Sequence, residues 1–179
     1  MKDYENSNIK CMLTELNRII SHAENAVPNV GESNNQRLEE IEADIYKQKP
    51  DVLAISCYIW NISMVEALIE DIHAVMPQLP IWLGGPEVSF HPDKIIQRFP
   101  FLAGIMIGEG EQTFVELLQG YCNADKGATP DFSQTAGIYT KDGYTAEREC
   151  MNLNEIPFFY SDLTEFTNRI MYYESSRGC

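Results

Sequence analysis

Apolar positions along this chain form two kinds of run, and the two kinds alternate. Asp51-Val52-Leu53-Ala54-Ile55-Ser56, Ile81-Trp82-Leu83 and Ile105-Met106-Ile107 are short and continuous. Such a run, with no polar residue interleaved, predicts a strand buried on both faces. Between these runs the apolar residues recur at helical spacing. Leu38, Ile41 and Ile45 predict a helix stopped by Pro50. Ser63 and Glu66 have the spacing of a capping box, and Val65, Leu68, Ile72 and Val75 make the stripe of the helix behind it. Pro77 and Pro80 end that helix. Pro92 suits the first turn of a short helix closing near Phe99-Pro100, and Phe114, Leu117, Leu118 and Tyr121 mark another.

Alternating strands and helices predict an α/β fold: a flavodoxin- or Rossmann-like open, mainly parallel sheet with helices on both faces. Asp142-Gly143, between Gly137-Ile138-Tyr139 and Tyr144-Thr145-Ala146, signals an antiparallel hairpin at one edge. The start of the chain is anomalous. Ile9, Met12, Leu16, Ile19 and Ala23 predict an amphipathic helix where such a domain ordinarily opens on a buried strand, so the leading strand is expected to be missing. The domain is expected to span residues 1–150. Residues 151–179 read as a linker rich in Pro, Phe and Asp, followed by the start of another domain.

The candidate chemistry lies where the buried strands end, because ligands of open α/β sheets bind at the carboxyl edge. Trp82-Leu83-Gly84-Gly85-Pro86-Glu87-Val88-Ser89 runs from a strand straight into two glycines and a proline. Glycines there let backbone approach a broad ligand that a β-carbon would repel. After the neighbouring strand come Ser56, Cys57, Tyr58, Trp60 and Asn61. A hydroxyl and a carboxamide can hydrogen-bond a ligand and the aromatics can wall it in, or Tyr58 and Trp60 can simply pack on helices. Gly108-Glu109-Gly110-Glu111-Gln112-Thr113 superficially matches a dinucleotide fingerprint, but Thr113 stands in place of the third glycine. Glu109 and Glu111 would also repel a pyrophosphate, so a neutral or cationic ligand fits better. Asp71-Ile72-His73 begins a D-x-H-x-x-G cobalt-ligand pattern, yet Met76 replaces its glycine and the triplet falls inside a helix. Of the three histidines, His91 alone follows a candidate ligand loop. No catalytic residue set can be argued from spacing.

Composition narrows the classes. The chain has 179 residues, with 13 basic and 27 acidic side chains for a net charge of −14. Nucleic-acid and anionic-membrane partners need a basic footprint, so neither is expected. There is no run long enough to span a membrane and no apolar signal core, which predicts a cytoplasmic protein. The five cysteines, Cys11, Cys57, Cys122, Cys150 and Cys179, include no C-x-x-C pair and argue against a disulfide framework.

Taken in order, Ile55-Ser56-Cys57-Tyr58-Ile59-Trp60-Asn61, Leu83-Gly84-Gly85-Pro86-Glu87-Val88-Ser89 and Gly108-Glu109-Gly110-Glu111 with Thr113-Phe114 behind resemble the N-terminal domain of cobalamin-binding radical S-adenosylmethionine proteins. That group includes proteins labelled anaerobic magnesium-protoporphyrin monomethyl ester cyclases and a large subfamily of unassigned function, which this chain resembles most. The final Tyr172-Tyr173-Glu174-Ser175-Ser176-Arg177-Gly178-Cys179 is similar to the start of their barrel, where R-G-C opens a C-x-x-x-C-x-x-C triad holding a [4Fe–4S] cluster.

The resemblance implies a cobalamin groove. Ser56, Cys57, Tyr58, Trp60 and Asn61 would form one wall. Gly84, Gly85, Pro86 and Glu87 would be the floor against the nucleotide tail, and Gly108, Glu109, Gly110 and Glu111 the far wall. Cys179 would be the first cluster ligand in the intact protein. One cysteine cannot build the cluster, so the fragment itself is expected to be inactive. In the intact enzyme, cleavage of S-adenosylmethionine to a 5′-deoxyadenosyl radical would precede methyl transfer or an oxidative cyclisation. Cobalamin would be held without a protein imidazole on cobalt. The partners implied are cobalamin and the C-terminal radical S-adenosylmethionine domain of the same chain. The competing expectation is a flavodoxin-like lid that docks on the barrel and binds no corrinoid. Gly85→Val is expected to separate the two, removing binding while folding is kept.

Overall fold

A computed structural model describes residues 32–125, 128–152 and 154, together with the backbone of 11–13; for 32–37 the backbone alone is described. The chain divides into two compact units, Met1–Arg148 and Glu149–Cys179. In the second, Asn152 Oδ1 accepts hydrogen bonds from the backbone N–H and the Nδ2 of Asn154, at 3.1 and 3.0 Å. The rest of the expected linker and barrel start, including Tyr172–Gly178 and Cys179, lies outside the described residues.

The first unit is built on a six-stranded sheet with strands in sequential order. Strand β1 (Cys11–Leu13) leads to α1 (Glu32–Gln48), β2 (Val52–Ser56), α2 (Ile62–Val75) and β3 (Ile81–Gly84). Two short helices follow, α3 (Pro86–Ser89) and α4 (Pro92–Arg98), then β4 (Gly104–Met106), α5 (Gly110–Asn123) and the hairpin β5 (Ile138–Thr140) and β6 (Gly143–Tyr144). The first four strands pair in parallel, and β5 and β6 add antiparallel at one edge. The predicted fold class is therefore observed.

The expectation of an opening helix is corrected at Cys11–Leu13. These residues pair with Val52, Leu53 and Ala54 as a parallel strand, so β2 is not the sheet edge. Cys-Met-Leu is a three-residue apolar run, and pairing with an exposed edge outweighs a weak helical period. The rest of the predicted helix is outside the described residues.

Right-handed crossovers that all step the same way across a sheet place their helices on one face. The steps β1–β2, β2–β3 and β3–β4 do this. Ile41 and Ile45 of α1, Val65, Leu68, Ile69 and Ile72 of α2, Val88 of α3 and Ile96 of α4 pack in one core with Leu53, Ile55, Ile81, Leu83 and Ile105. The alternate strand residues Val52, Ala54, Trp82, Met106 and Ile138 face the other way, against Leu117 of α5. Both faces are covered, as expected, with unequal shares.

Local details differ from the expectations. The helix α2 starts at Ile62, its N-cap is Asn61, and no side-chain capping bond forms, so Ser63 and Glu66 do not make a capping box. Val75 is exposed, and Ile69 takes a core place instead. The hairpin pairs Tyr139 with Tyr144 and Thr140 with Gly143, which moves the turn one residue earlier, to Lys141-Asp142. No described helix is long and apolar enough to cross a membrane.

Candidate functional site

Parallel pairing brings the carboxyl ends of β2, β3 and β4 to one edge, with Ser56 beside Gly84. The loops after β2 and β3 are zipped together. The N–H of Cys57 donates to the carbonyl of Gly84 at 2.7 Å, and the N–H of Glu87 donates to the carbonyl of Cys57 at 3.3 Å. Gly85 sits inside this seam with φ +96°, where a Cβ would lie 2.6 Å from the Cys57 carbonyl oxygen and 3.1 Å from Ser56 Oγ. Glycine is thus required at 85 by the protein's own backbone, whatever binds nearby. That corrects the expected use of Gly85→Val, because the variant attacks the fold as well as any ligand. A Cβ on Gly84 would meet Met106 Cε at 3.3 Å, so its bareness also serves packing.

Gly108 and Gly110 behave differently. A Cβ on either meets nothing within 4 Å, and Gly108 turns with φ +78°. The chain leaves β3 for α3 on one face of the sheet and leaves β4 for α5 on the other. Adjacent loops that diverge to opposite faces open a crevice between the strands they leave. By that rule the crevice is expected at the β3–β4 boundary, with Gly84-Gly85 on one side and Gly108-Gly110 on the other. Pro86 is the first residue of α3, and Ser89 Oγ donates to the Gly85 carbonyl at 2.8 Å. Glu87 and Glu111 are exposed and Glu109 is half-buried, giving this edge an acidic rim.

The loop from Cys57 to Asn61 pairs its own aromatics, Tyr58 and Trp60. Their rings stack on each other, centroids 4.6 Å apart and 6° from parallel, with Trp60 63% exposed. Asn61 is buried, with Oδ1 accepting from the Tyr58 N–H at 2.7 Å and Nδ2 donating to the Ser56 carbonyl at 2.9 Å. Its carboxamide is spent on the loop and is not offered to a ligand, which corrects the expected direct hydrogen bond. Cys57 is also buried. Desolvation pushes its thiol up to about 12, against the lowering effect of the Gly84 backbone contact. Ser56 is half-buried, with its hydroxyl oxygen set against the Gly85 backbone.

His73 lies within α2 and stacks on Phe101 at 4.1 Å between centroids, away from any ligand loop. His91 is exposed at the start of α4. His22 and Cys179 lie outside the described residues.

Sequence reasoning missed two features. One is Phe90, which stands 80% exposed directly after α3. The other is a clasp behind the β4–α5 loop. Arg148 Nε donates to Thr113 Oγ1 at 2.7 Å, while Nη2 reaches Glu116 Oε2 at 2.5 Å and the Ala136 carbonyl at 3.1 Å. Thr113 Oγ1 donates in turn to that carbonyl at 3.2 Å. This ties α5 to the strand that follows it. Burial pushes the Glu116 carboxyl up, but hydrogen bonds from Arg148 and Gln112 outweigh it and hold the group below the usual glutamate range. No local signal in the sequence links residues so far apart.

Comparison with known proteins gives a concordant result. The model of the B12 binding domain family matches residues 15–118. The 2-(S-pantetheinyl)-carbapenam-3-carboxylate methyltransferase of Streptantibioticus cattleyicolor is 36% identical over 100 residues, covering 54% of this chain and 14% of its own. Cobalamin-dependent radical SAM methyltransferase TokK of Streptomyces tokunonensis is 31% identical over 98 residues, covering 55% of this chain and 14% of its own. The chain thus spans a small part of the length of these relatives. The solved structure of the cobalamin-dependent S-adenosylmethionine radical enzyme OxsB with aqua-cobalamin bound shares the fold, at TM-score 0.53 and 22% identity over 66% of this chain and 16% of that one.

Proposed function

This chain belongs to the B12-binding domain family, and on that premise we propose that it is the cobalamin-binding module of a radical S-adenosylmethionine enzyme. The single observation that carries the reading is that the loops after β3 and β4 diverge to opposite faces of the sheet, with open space where a Cβ on Gly108 or Gly110 would lie. A broad, thin group fits such a rim, and a bulky plug of the protein's own side chains would have argued against it.

In this reading the zipped β2 and β3 loops form a rigid wall and floor. Tyr58 and Trp60 shield the wall from water, and the half-buried Ser56 hydroxyl donates to an amide or phosphate oxygen on the ligand's periphery. Gly84, Gly85, Pro86 and Glu87 border the nucleotide tail, with the exposed Glu87 carboxylate accepting from amide or hydroxyl donors. Gly108, Glu109, Gly110 and Glu111 form the far wall. Cys57 and Asn61 act through the shape of the loop. His73, stacked on Phe101 within α2, would not serve as a ligand to cobalt. When bound, cobalamin supplies a transferable methyl group or an electron. The two methyltransferases among the relatives favour methyl transfer over oxidative cyclisation. The radical S-adenosylmethionine domain of the same chain would be the partner, with Cys179 the first of its cluster thiolates, and the cytoplasm its compartment.

The test is anaerobic titration with hydroxocobalamin, followed by desalting and visible spectroscopy of the retained corrinoid. The unaltered chain is expected to retain it. Gly110→Leu adds a side chain in open space at the first residue of a helix, so it should fold normally and bind at least about tenfold more weakly. A chain that keeps no corrinoid at all would overturn the proposal in favour of a lid without cofactor.

A further inference from the structure

We propose that Asn61 is a positioning residue that holds the Tyr58–Trp60 stack ready for the corrinoid before any ligand arrives. This inference rests on the cobalamin-binding reading. It begins from an oddity at the start of α2. An N-cap asparagine ordinarily turns its side-chain oxygen forward, to accept from the first free N–H groups of its own helix. Asn61 occupies that position and makes no such bond. Its carboxamide faces backward instead, taking the N–H of Tyr58 on one side and giving a hydrogen to the carbonyl of Ser56 on the other.

The loop needs such a brace. It places Ile59 and Trp60 in water, 76% and 63% exposed. Apolar groups that large would otherwise collapse onto the nearest apolar surface. The backbone adds a tight turn, with the N–H groups of Asn61 and Ile62 both donating to the Tyr58 carbonyl at 3.0 Å. Asn61 is only 2% exposed, so both functions of its amide work in a poorly hydrated site where each bond counts more. An acceptor and a donor are both required. A carboxylate of the same shape supplies only the acceptor and sets charge against the Ser56 carbonyl, and an apolar isostere supplies neither. The result is an ordered aromatic pair in the loop at the carboxyl end of β2. Order established in the free protein lowers the entropy lost on binding, which is how a residue that never touches a ligand raises affinity.

Fluorescence quenching, corrinoid binding, unfolding and hydrogen exchange test this. The chain has two tryptophans and Trp82 is 1% exposed, so acrylamide quenching in the folded protein reads Trp60. Asn61→Ala and Asn61→Asp should make that quenching more efficient and weaken hydroxocobalamin about tenfold, measured well below the unfolding midpoint of each variant. The spectrum of bound corrinoid at saturation should not change. A purely structural role would lower the unfolding midpoint while the folded protein still bound like the unaltered chain, and that outcome overturns the proposal. If neither variant folds, hydrogen exchange on the unaltered chain decides. The Tyr58 amide should be protected without corrinoid. Free exchange there, with protection gained only on binding, also overturns the proposal. Failure of the unaltered chain to bind corrinoid would instead remove the reading beneath it.

Discussion

Two glycines on the same sheet edge do opposite jobs. Gly85 is bare because Cys57 already occupies the volume a side chain would need. Gly110 is bare beside empty space. Gly85→Ala should therefore cost stability, at least about 1–3 kcal/mol from backbone strain alone, read as a lower urea midpoint. Gly110→Leu should leave that midpoint in place. The neighbouring Cys57 gives an independent check on how closed the seam is. With its thiol pushed up to about 12, roughly one part in 10⁴ is thiolate at pH 8. Pulsed iodoacetamide with peptide mapping should label the exposed Cys122 and Cys150 and spare Cys57 until the protein unfolds. Early labelling of Cys57 would show that the two loops separate in the native state.

The elements near this edge were legible in proportion to how local their causes are. Val52–Ser56, Ile81–Gly84 and Gly104–Met106 announce themselves as uninterrupted apolar runs, and the stripe Val65, Leu68 and Ile72 faces the core as its period requires. The strand at Cys11–Leu13 was invisible because its reason is β2, forty residues away. The same holds for the site. Residues 56–61, 84–87 and 108–111 could be chosen from strand ends, but not which glycine faces a partner loop and which faces space. The link from Arg148 to Thr113 and Glu116 is the extreme case, and it has a measurable pH signature. The Glu116 carboxyl is held below its ordinary value in the fold. Its contribution is thus fully present above the unfolded value, near 4.3, and is lost as pH falls through the lower folded value. Glu116 is partly exposed, so the effect is modest. Arg148→Ala should lower stability at pH 7 by about 1–3 kcal/mol, since it strips partners from buried Thr113 and from the Ala136 carbonyl. The variant should also lose stability less steeply than the unaltered chain on acidification below about pH 4.3. Parallel denaturation curves at pH 7 and pH 3.5 check both parts.

At the scale of the whole molecule, the sheet brings the loops after β2, β3 and β4 to one edge, and charge then decides what arrives there easily. The chain carries −14, and Glu87, Glu109 and Glu111 add local carboxylates beside the crevice. A field of this sign draws cations inward and does nothing for neutral molecules. Corrinoids allow the comparison within one ligand shape. Aquacobalamin is a net cation below neutral pH, whereas cyanocobalamin is neutral. Raising the salt from 0.01 to 0.15 M shortens the screening length from about 30 to about 8 Å. The association rate of aquacobalamin should therefore fall over that range while that of cyanocobalamin stays level, both measured by stopped-flow absorbance. Glu87→Gln should flatten the aquacobalamin dependence without altering the cyanocobalamin rate. If the two corrinoids respond to salt alike, the acidic rim does not guide the ligand, and the crevice beside Gly108 and Gly110 is not where it enters.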